Sequence, residues 1–265
     1  MNDAQLTDAK ALFNKVPEVI ALFWIIKILA TTVGETAADF LNINLNVGLT
    51  GTAIVMTGLL AGFLFAQVKT KRYTPWLYWL TVVLISIVGT LVTDILTDKF
   101  GIPLEASTLA FSVALGLTFA VWFSKEKTLS IHRIDTRSRE LYYWLAILFT
   151  FALGTAAGDL VAERMTLGYG YSALMFGGMI AVVTFAYFVF KLNAVLAFWI
   201  AYILTRPLGA SFGDYLSQPI ADGGLGLGTV QTSLLFFVAI SSLVIYLSLA
   251  RKNVVGSELE QRSIR

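Results

Sequence analysis

The chain has 265 residues, 57% of them hydrophobic and 14% charged, and a mean hydropathy of +0.76. That composition excludes a soluble domain and matches a polytopic protein of the lipid bilayer. A net charge of +2 calls for no nucleic-acid partner, and zero cysteines exclude disulfides, thiolate metal sites and a reactive thiol.

Residues 1–17 are polar and lead into the first of eight apolar runs. No short apolar segment with a small-residue cleavage site precedes that run, so it is expected to stay in the mature chain. The runs cover 18–41, 49–68, 75–97, 107–124, 141–161, 172–191, 194–216 and 229–250. A helix needs roughly 20 apolar residues to cross a hydrocarbon core of about 30 Å, so eight spans are expected. The connectors are too short for a soluble domain, and a tail, 253–265, follows the last run. Of the 19 Lys and Arg, 15 fall in one set of segments: Lys10 and Lys15, Lys69 to Arg72, Lys125 to Arg139, Lys191, and Arg251 to Arg265. The opposite set has Lys99 and Arg164, while Lys27 and Arg206 sit inside spans. The positive-inside rule then puts both termini in the cytoplasm.

The pattern Trp-x9-Gly-x4-Asp occurs four times: Trp24/Gly34/Asp39, Trp79/Gly89/Asp94, Trp144/Gly154/Asp159 and Trp199/Gly209/Asp214. The intervals between successive Asp residues are 55, 65 and 55, the middle one lengthened by the basic loop from Lys125 to Glu140. Each copy covers two spans, approximately 18–72, 73–128, 141–193 and 194–252. Two crossings restore the starting side, so the four units point the same way and are related by an axis along the membrane normal. The expected fold is an all-α polytopic bundle of eight transmembrane helices, built as four parallel-oriented two-helix repeats with pseudo-symmetry.

These repeated residues resemble a bacterial family of uncharacterised membrane proteins defined by a four-times-repeated two-span unit with a repeated tryptophan. The resemblance runs from about Glu18 to Lys252. It implies the eight-span fold and a multi-pass place in the bacterial inner membrane, and it carries no activity.

At 100° per residue, Trp and Asp of one copy lie within about 60° of one another around the helix and roughly 22 Å apart along it. Gly34, Gly89, Gly154 and Gly209 lie about 140° from their Asp, on a surface where a missing side chain lets two backbones approach. Carboxylates in the last turn oppose the helix dipole. Further acids crowd the same end: Glu35 with Asp39, Asp94 with Asp98, and Asp159 with Glu163 at i, i+4, and Asp222 beyond Asp214. Such pairs repel unless protons are shared or cations bind. Lys27 lies eight residues before Glu35 and Arg206 eight before Asp214, so each is a counter-charge, either bridged to its acid or tethered in place of a transported ion. Pro207 is expected to break its helix and free the carbonyl of Ile203.

Thr52, Ser107 and Ser172 each follow their Asp by 13 residues, and the fourth unit offers Thr229, Thr232 or Ser233. They are possible oxygen ligands, although the simpler reading is an N-cap for the returning helix. The four Trp residues are expected as an aromatic belt or as packing. His132 lies in a basic loop and is expected to be solvated. The run Gly-Gly-Leu-Gly-Leu-Gly from Gly223 to Gly228 lacks the context of a nucleotide fingerprint and is expected as a flexible connector.

Intramembrane acids default to function. With oxygen donors and neither Cys nor an intramembrane His, the acids suit a hard divalent cation such as Mg, Ca or Mn, taken as transported or bound rather than as a cofactor. The expected ion path is Glu35, Asp39, Asp94, Asp159 and Asp214, the four Asp being the metal ligands. No nucleophile or metal motif of an enzyme is recognisable. The other reading is a scaffold or sensor in which the Asp quartet is structural.

Overall fold

A computed structural model describes residues 14–44 and 48–263, with side chains described for 14–41 and 48–250. Lys10 and Arg265 lie outside the described residues, as do the side chains of Arg251, Lys252 and Arg262. The described residues form eight long helices: α1 (Ala21–Asn44), α2 (Gly48–Lys69), α3 (Pro75–Asp94), α4 (Leu104–Glu126), α5 (Arg137–Asp159), α6 (Tyr169–Val189), α7 (Ala194–Ser217) and α8 (Thr229–Ser263). All eight contain a stretch long and apolar enough to cross a membrane, and no strand occurs among the described residues. The protein is an all-α, eight-span membrane protein. Helix α8 continues beyond its apolar span, so residues 253–263 are helical.

The odd-numbered helices close a ring, with α1 against α3, α3 against α5, α5 against α7, and α7 back against α1. Between 56% and 67% of each odd-numbered span is buried, against 11% to 22% of the even-numbered ones, so an inner ring carries the repeated motif and an outer ring faces lipid. Each outer helix packs chiefly on the inner helix of the next unit: α2 on α3, α4 on α5, α6 on α7, and α8 on α1. A repeat is therefore a unit of sequence whose two helices part in space. No unit can bury its inner face alone, and the ring closes only when the last helix returns to the first.

Glycine sets the spacing of the ring. A Cβ on Gly34 would fall on Ser86, one on Gly89 on Phe151, one on Gly154 on Arg206, and one on Gly209 on Thr31. The partners are all eight residues before an Asp, always on the next inner helix, so one contact is used four times in a closed cycle. Interhelical hydrogen bonds reinforce it, Thr93 Oγ1 donating to Ala152 O at 3.2 Å and Thr31 Oγ1 to Thr205 O at 3.2 Å.

The tryptophans do not form a lipid-facing belt. Trp79, Trp144 and Trp199 are buried and Trp24 is half-buried. Each packs on the aromatic residue that precedes the tryptophan of a neighbouring copy: Phe23 on Trp79 at 5.6 Å, Tyr78 on Trp144 at 5.4 Å, Tyr143 on Trp199 at 6.2 Å, and Phe198 on Trp24 at 5.6 Å between ring centroids. Tyr78 and Tyr143 also share a hydrogen bond between their hydroxyls. Eight rings thus fill the centre of the bundle at the basic end. The connector between α4 and α5 lies against them, with Ile131 and Ile134 buried and Leu129 O accepting from Trp199 Nε1 at 2.9 Å.

Candidate functional site

The opposite end of the inner ring holds the acids. All four of its helices run past their Asp: α1 ends at Asn44, α3 and α5 each continue into a π-helical turn, Ile95–Lys99 and Leu160–Arg164, and α7 ends at Ser217. Asp214 lies three residues before the end of α7. Four parallel helices with the same register therefore bring four carboxylates to one level. Glu35 and Asp214 are buried, while Asp39, Asp94 and Asp159 are half-buried. Each of the four Asp carboxylates lies within electrostatic range of Glu35.

The tightest grouping is Glu35, Asp159 and Asp214, from α1, α5 and α7, with one oxygen of each within 4.8 Å of the others. Asp39 and Asp94 are not part of that group. The second acids of the other three copies do not join: Asp98, Glu163 and Asp222 are exposed, with Glu163 accepting from Tyr169 at 2.9 Å.

One turn below, the positions four residues before each Asp are Glu35, Thr90, Thr155 and Ala210. Arg206 reaches this layer from the adjacent copy. Its Nη2 donates to Glu35 Oε2 at 2.6 Å, to Thr155 Oγ1 at 2.6 Å and to Thr90 Oγ1, and its Nη1 donates to Thr31 O at 3.3 Å. Thr90 Oγ1 also donates to Glu35 Oε2 at 3.2 Å. The guanidinium is fully buried and joins all four inner helices. Arg206 was expected to answer Asp214 on its own helix. It answers Glu35 instead, because the neighbouring helix lies closer to its side chain than the next two turns of α7.

Lys27 makes no bridge to Glu35. It is fully buried and its Nζ has no hydrogen-bond partner among the described residues. The ammonium lies 4.1 Å from the Phe151 ring centroid and 4.3 Å from that of Tyr202, a two-sided aromatic contact in place of a bridge to Glu35. The Arg206 guanidinium carbon lies 5.6 Å from the centroid of the same Phe151 ring. Of the five carboxylates, only Glu35 is ion-paired among the described residues.

Pro207 does not break α7, which runs from Ala194 to Ser217 with the proline inside it. Its ring packs beside Gly154 and Gly158 of α5, where the missing side chains leave room. Thr52, Ser107 and Ser172 are not N-caps: α4 is capped at Pro103 and α6 at Gly168, and all three hydroxyls lie a turn further in. With Thr232 of α8 they form a set, one per outer helix, each buried and without a hydrogen-bond partner for its hydroxyl among the described residues. Ser233 instead donates to Thr36 Oγ1 at 2.8 Å. The connector from Gly223 to Gly228 folds back on α7, with Leu225, Gly226, Leu227 and Gly228 N–H groups bonded to Tyr215, Gln218, Leu216 and Ser217 carbonyls at 2.7 to 3.1 Å. It is a bonded cap rather than a loose strap. His132 is exposed.

A family model described as Repeat of Unknown Function (DUF347) matches the chain four times, at residues 22–73, 77–128, 142–193 and 197–253. The chain belongs to this family. No curated protein and no solved structure matches it. The four matches of the family repeat coincide with the four inner-outer helix pairs, so the sites described above are built from equivalent positions of one motif.

The layer that sequence reasoning missed is the one formed by Thr90 and Thr155. Aligning the four copies of the family repeat on their Asp would have exposed it: the column four residues earlier reads Glu, Thr, Thr, Ala, and the column eight earlier reads Thr, Ser, Phe, Arg. The single arginine of one column meets the single glutamate of the other.

Proposed function

We propose that this protein is a multi-pass carrier for a small hard cation, most suited to a divalent ion of the Mg or Mn kind, in the cytoplasmic membrane with both termini inside. The observation that carries the reading is the approach of three carboxylate oxygens, from Glu35, Asp159 and Asp214, to within 4.8 Å in the protein interior while one buried guanidinium answers only one of them. Carboxylates that close repel strongly at reduced dielectric unless a cation or shared protons neutralise them. Oxygen donors on three helices suit a hard ion that takes six or more oxygens, the remainder coming from water or from Asp39 and Asp94.

The half-buried Asp39, Asp94 and Asp159 give access from the acidic end, and the aromatic girdle with Ile131 and Ile134 closes the basic end. Arg206 and Lys27 sit between the two. Cation passage then requires the Glu35–Arg206 pair to separate, which makes Arg206 a tethered counter-ion exchanged for the transported one. The sequence carries no cysteine, His-rich motif or serine elbow, and a role as an enzyme is not part of this reading.

A scaffold or sensor is favoured by one specific observation, the bonding of Arg206 to groups on α1, α3 and α5, which serves cohesion without any ion. Two measurements separate the readings. Binding of Mn, Mg, Ca, Zn and Na to purified protein is expected to select a hard divalent ion, and Asp159→Asn or Asp214→Asn is expected to abolish its uptake by reconstituted vesicles while the protein stays folded. Wild-type vesicles that move none of the five ions, with no binding to the purified protein, would establish the scaffold.

A further inference from the structure

A second polar site lies at the basic end, remote from the carboxylates. A crevice of about 490 Å3 is lined by Lys15, Lys69, Lys71, Asp135 and Arg137, drawn from the segment before α1, the α2–α3 connector and the α4–α5 connector. Two of these charges are already answered. Lys15 Nζ is 2.5 Å from Glu140 Oε2 and donates to Val68 O at 3.0 Å, and Asp135 Oδ1 is 3.0 Å from Arg139 Nη1. Lys69, Lys71 and Arg137 are exposed and have no carboxylate partner among the described residues. Three uncompensated positive charges therefore face one cavity.

The wall beside the crevice is apolar. Lys69 closes α2, and its Nζ lies 4.2 Å above the ring of Phe65, which is 63% exposed on the outer face of that helix. Only 22% of the α2 span is buried in the protein, so the rest of that face meets acyl chains. A free inorganic anion would match the charge and leave the apolar wall unused. A molecule with a phosphate joined to hydrocarbon matches both.

We propose that this crevice binds the headgroup of an anionic phospholipid, its phosphate between Lys69, Lys71 and Arg137 and its chains along the α2 face near Phe65. Near a membrane surface each basic residue contributes roughly fivefold to affinity for an anionic lipid. The crevice also adjoins the connector that covers the basic end, since the Lys15 N–H donates to Ile134 O at 3.2 Å. A bound headgroup therefore braces that connector against the bundle.

The test uses the full-length protein in a neutral detergent, with phosphatidylglycerol, phosphatidylcholine and inorganic phosphate added separately, read by native mass spectrometry and thermal unfolding. Phosphatidylglycerol is expected to stay bound and raise the Tm, and neither of the other two to do so. The triple variant Lys69→Gln, Lys71→Gln, Arg137→Gln is expected to lose about a hundredfold in affinity for phosphatidylglycerol. Lys125→Gln with Lys127→Gln, which removes charge from the same end outside the crevice, is expected to keep it. Equal loss in both variants, no loss in the triple variant, or an equal Tm rise with inorganic phosphate would overturn the proposal.

Discussion

Glu35 Oε2 on α1 and Arg206 Nη2 on α7 meet at 2.6 Å across 171 residues of sequence, and both are buried. The pair closes the ring, joining the inner helix of the first repeat to that of the last. Removing one partner leaves a charge in a low-dielectric interior, a loss of about 3 to 5 kcal/mol. Glu35→Leu and Arg206→Met are each expected to destabilise by that order, and the double variant by markedly less. Unfolding of the purified variants in micelles measures it. Additive losses would show that the two side chains act independently.

Two kinds of glycine occupy these helices. Gly34, Gly154 and Gly209 face a neighbouring side chain at distances that a Cβ cannot share, whereas Gly58, Gly62 and Gly116 have nothing within 4 Å. Alanine at any of the first three is expected to push the inner helices apart and cost about 1 to 3 kcal/mol through overpacking. Alanine at the second three removes backbone freedom without a clash and is expected to be neutral or to stabilise by up to about 1 kcal/mol. Thermal shifts of the six single variants, measured side by side, check the contrast.

Lys27 is a buried ammonium without a hydrogen bond, held between two rings. Replacing it by methionine keeps its length and removes the cost of burying the polar head, so Lys27→Met is expected to match or exceed the wild-type Tm. If Lys27 serves the proposed transport cycle, the same variant moves ions more slowly. A variant that loses stability as severely as Arg206→Met would show that the two cations share one structural role.

The proposed ion site predicts a graded response. Asp159→Asn and Asp214→Asn remove ligands from the closest carboxylate group and are expected to weaken divalent-ion binding by about tenfold or more, equivalent to about 1.4 kcal/mol. Asp39→Asn and Asp94→Asn, outside that group, are expected to have smaller effects. Isothermal titration of the four variants gives the order, and identical losses at all four positions would argue for a diffuse field rather than a site.

The buried hydroxyls of Thr52, Ser107 and Ser172 give a further discrimination. A buried hydroxyl without a partner costs about 1 to 3 kcal/mol, so Thr52→Val or Ser172→Ala is expected to raise stability. Should either variant also lower ion affinity, the hydroxyl is a ligand in the bound state.

Hydrophobic runs of about 20 residues and a motif spaced identically four times determined the helix number, the parallel orientation of the repeats and the shared level of Asp39, Asp94, Asp159 and Asp214. These properties are local or periodic: a helix has a fixed rise and turn, so equal spacing in sequence becomes equal height in space. What the sequence left undetermined is who faces whom around the ring. Arg206 lies eight residues from Asp214 along one chain segment, yet Glu35, 171 residues away, is its partner, because two close-packed helices bring side chains nearer than two turns of one helix do. The same limit applied to the tryptophans, whose place near one end suited a lipid belt as well as an interior girdle. Ring closure decided between them, since packing the glycine faces together turns the aromatic layer inward, and only tertiary contact sets that direction.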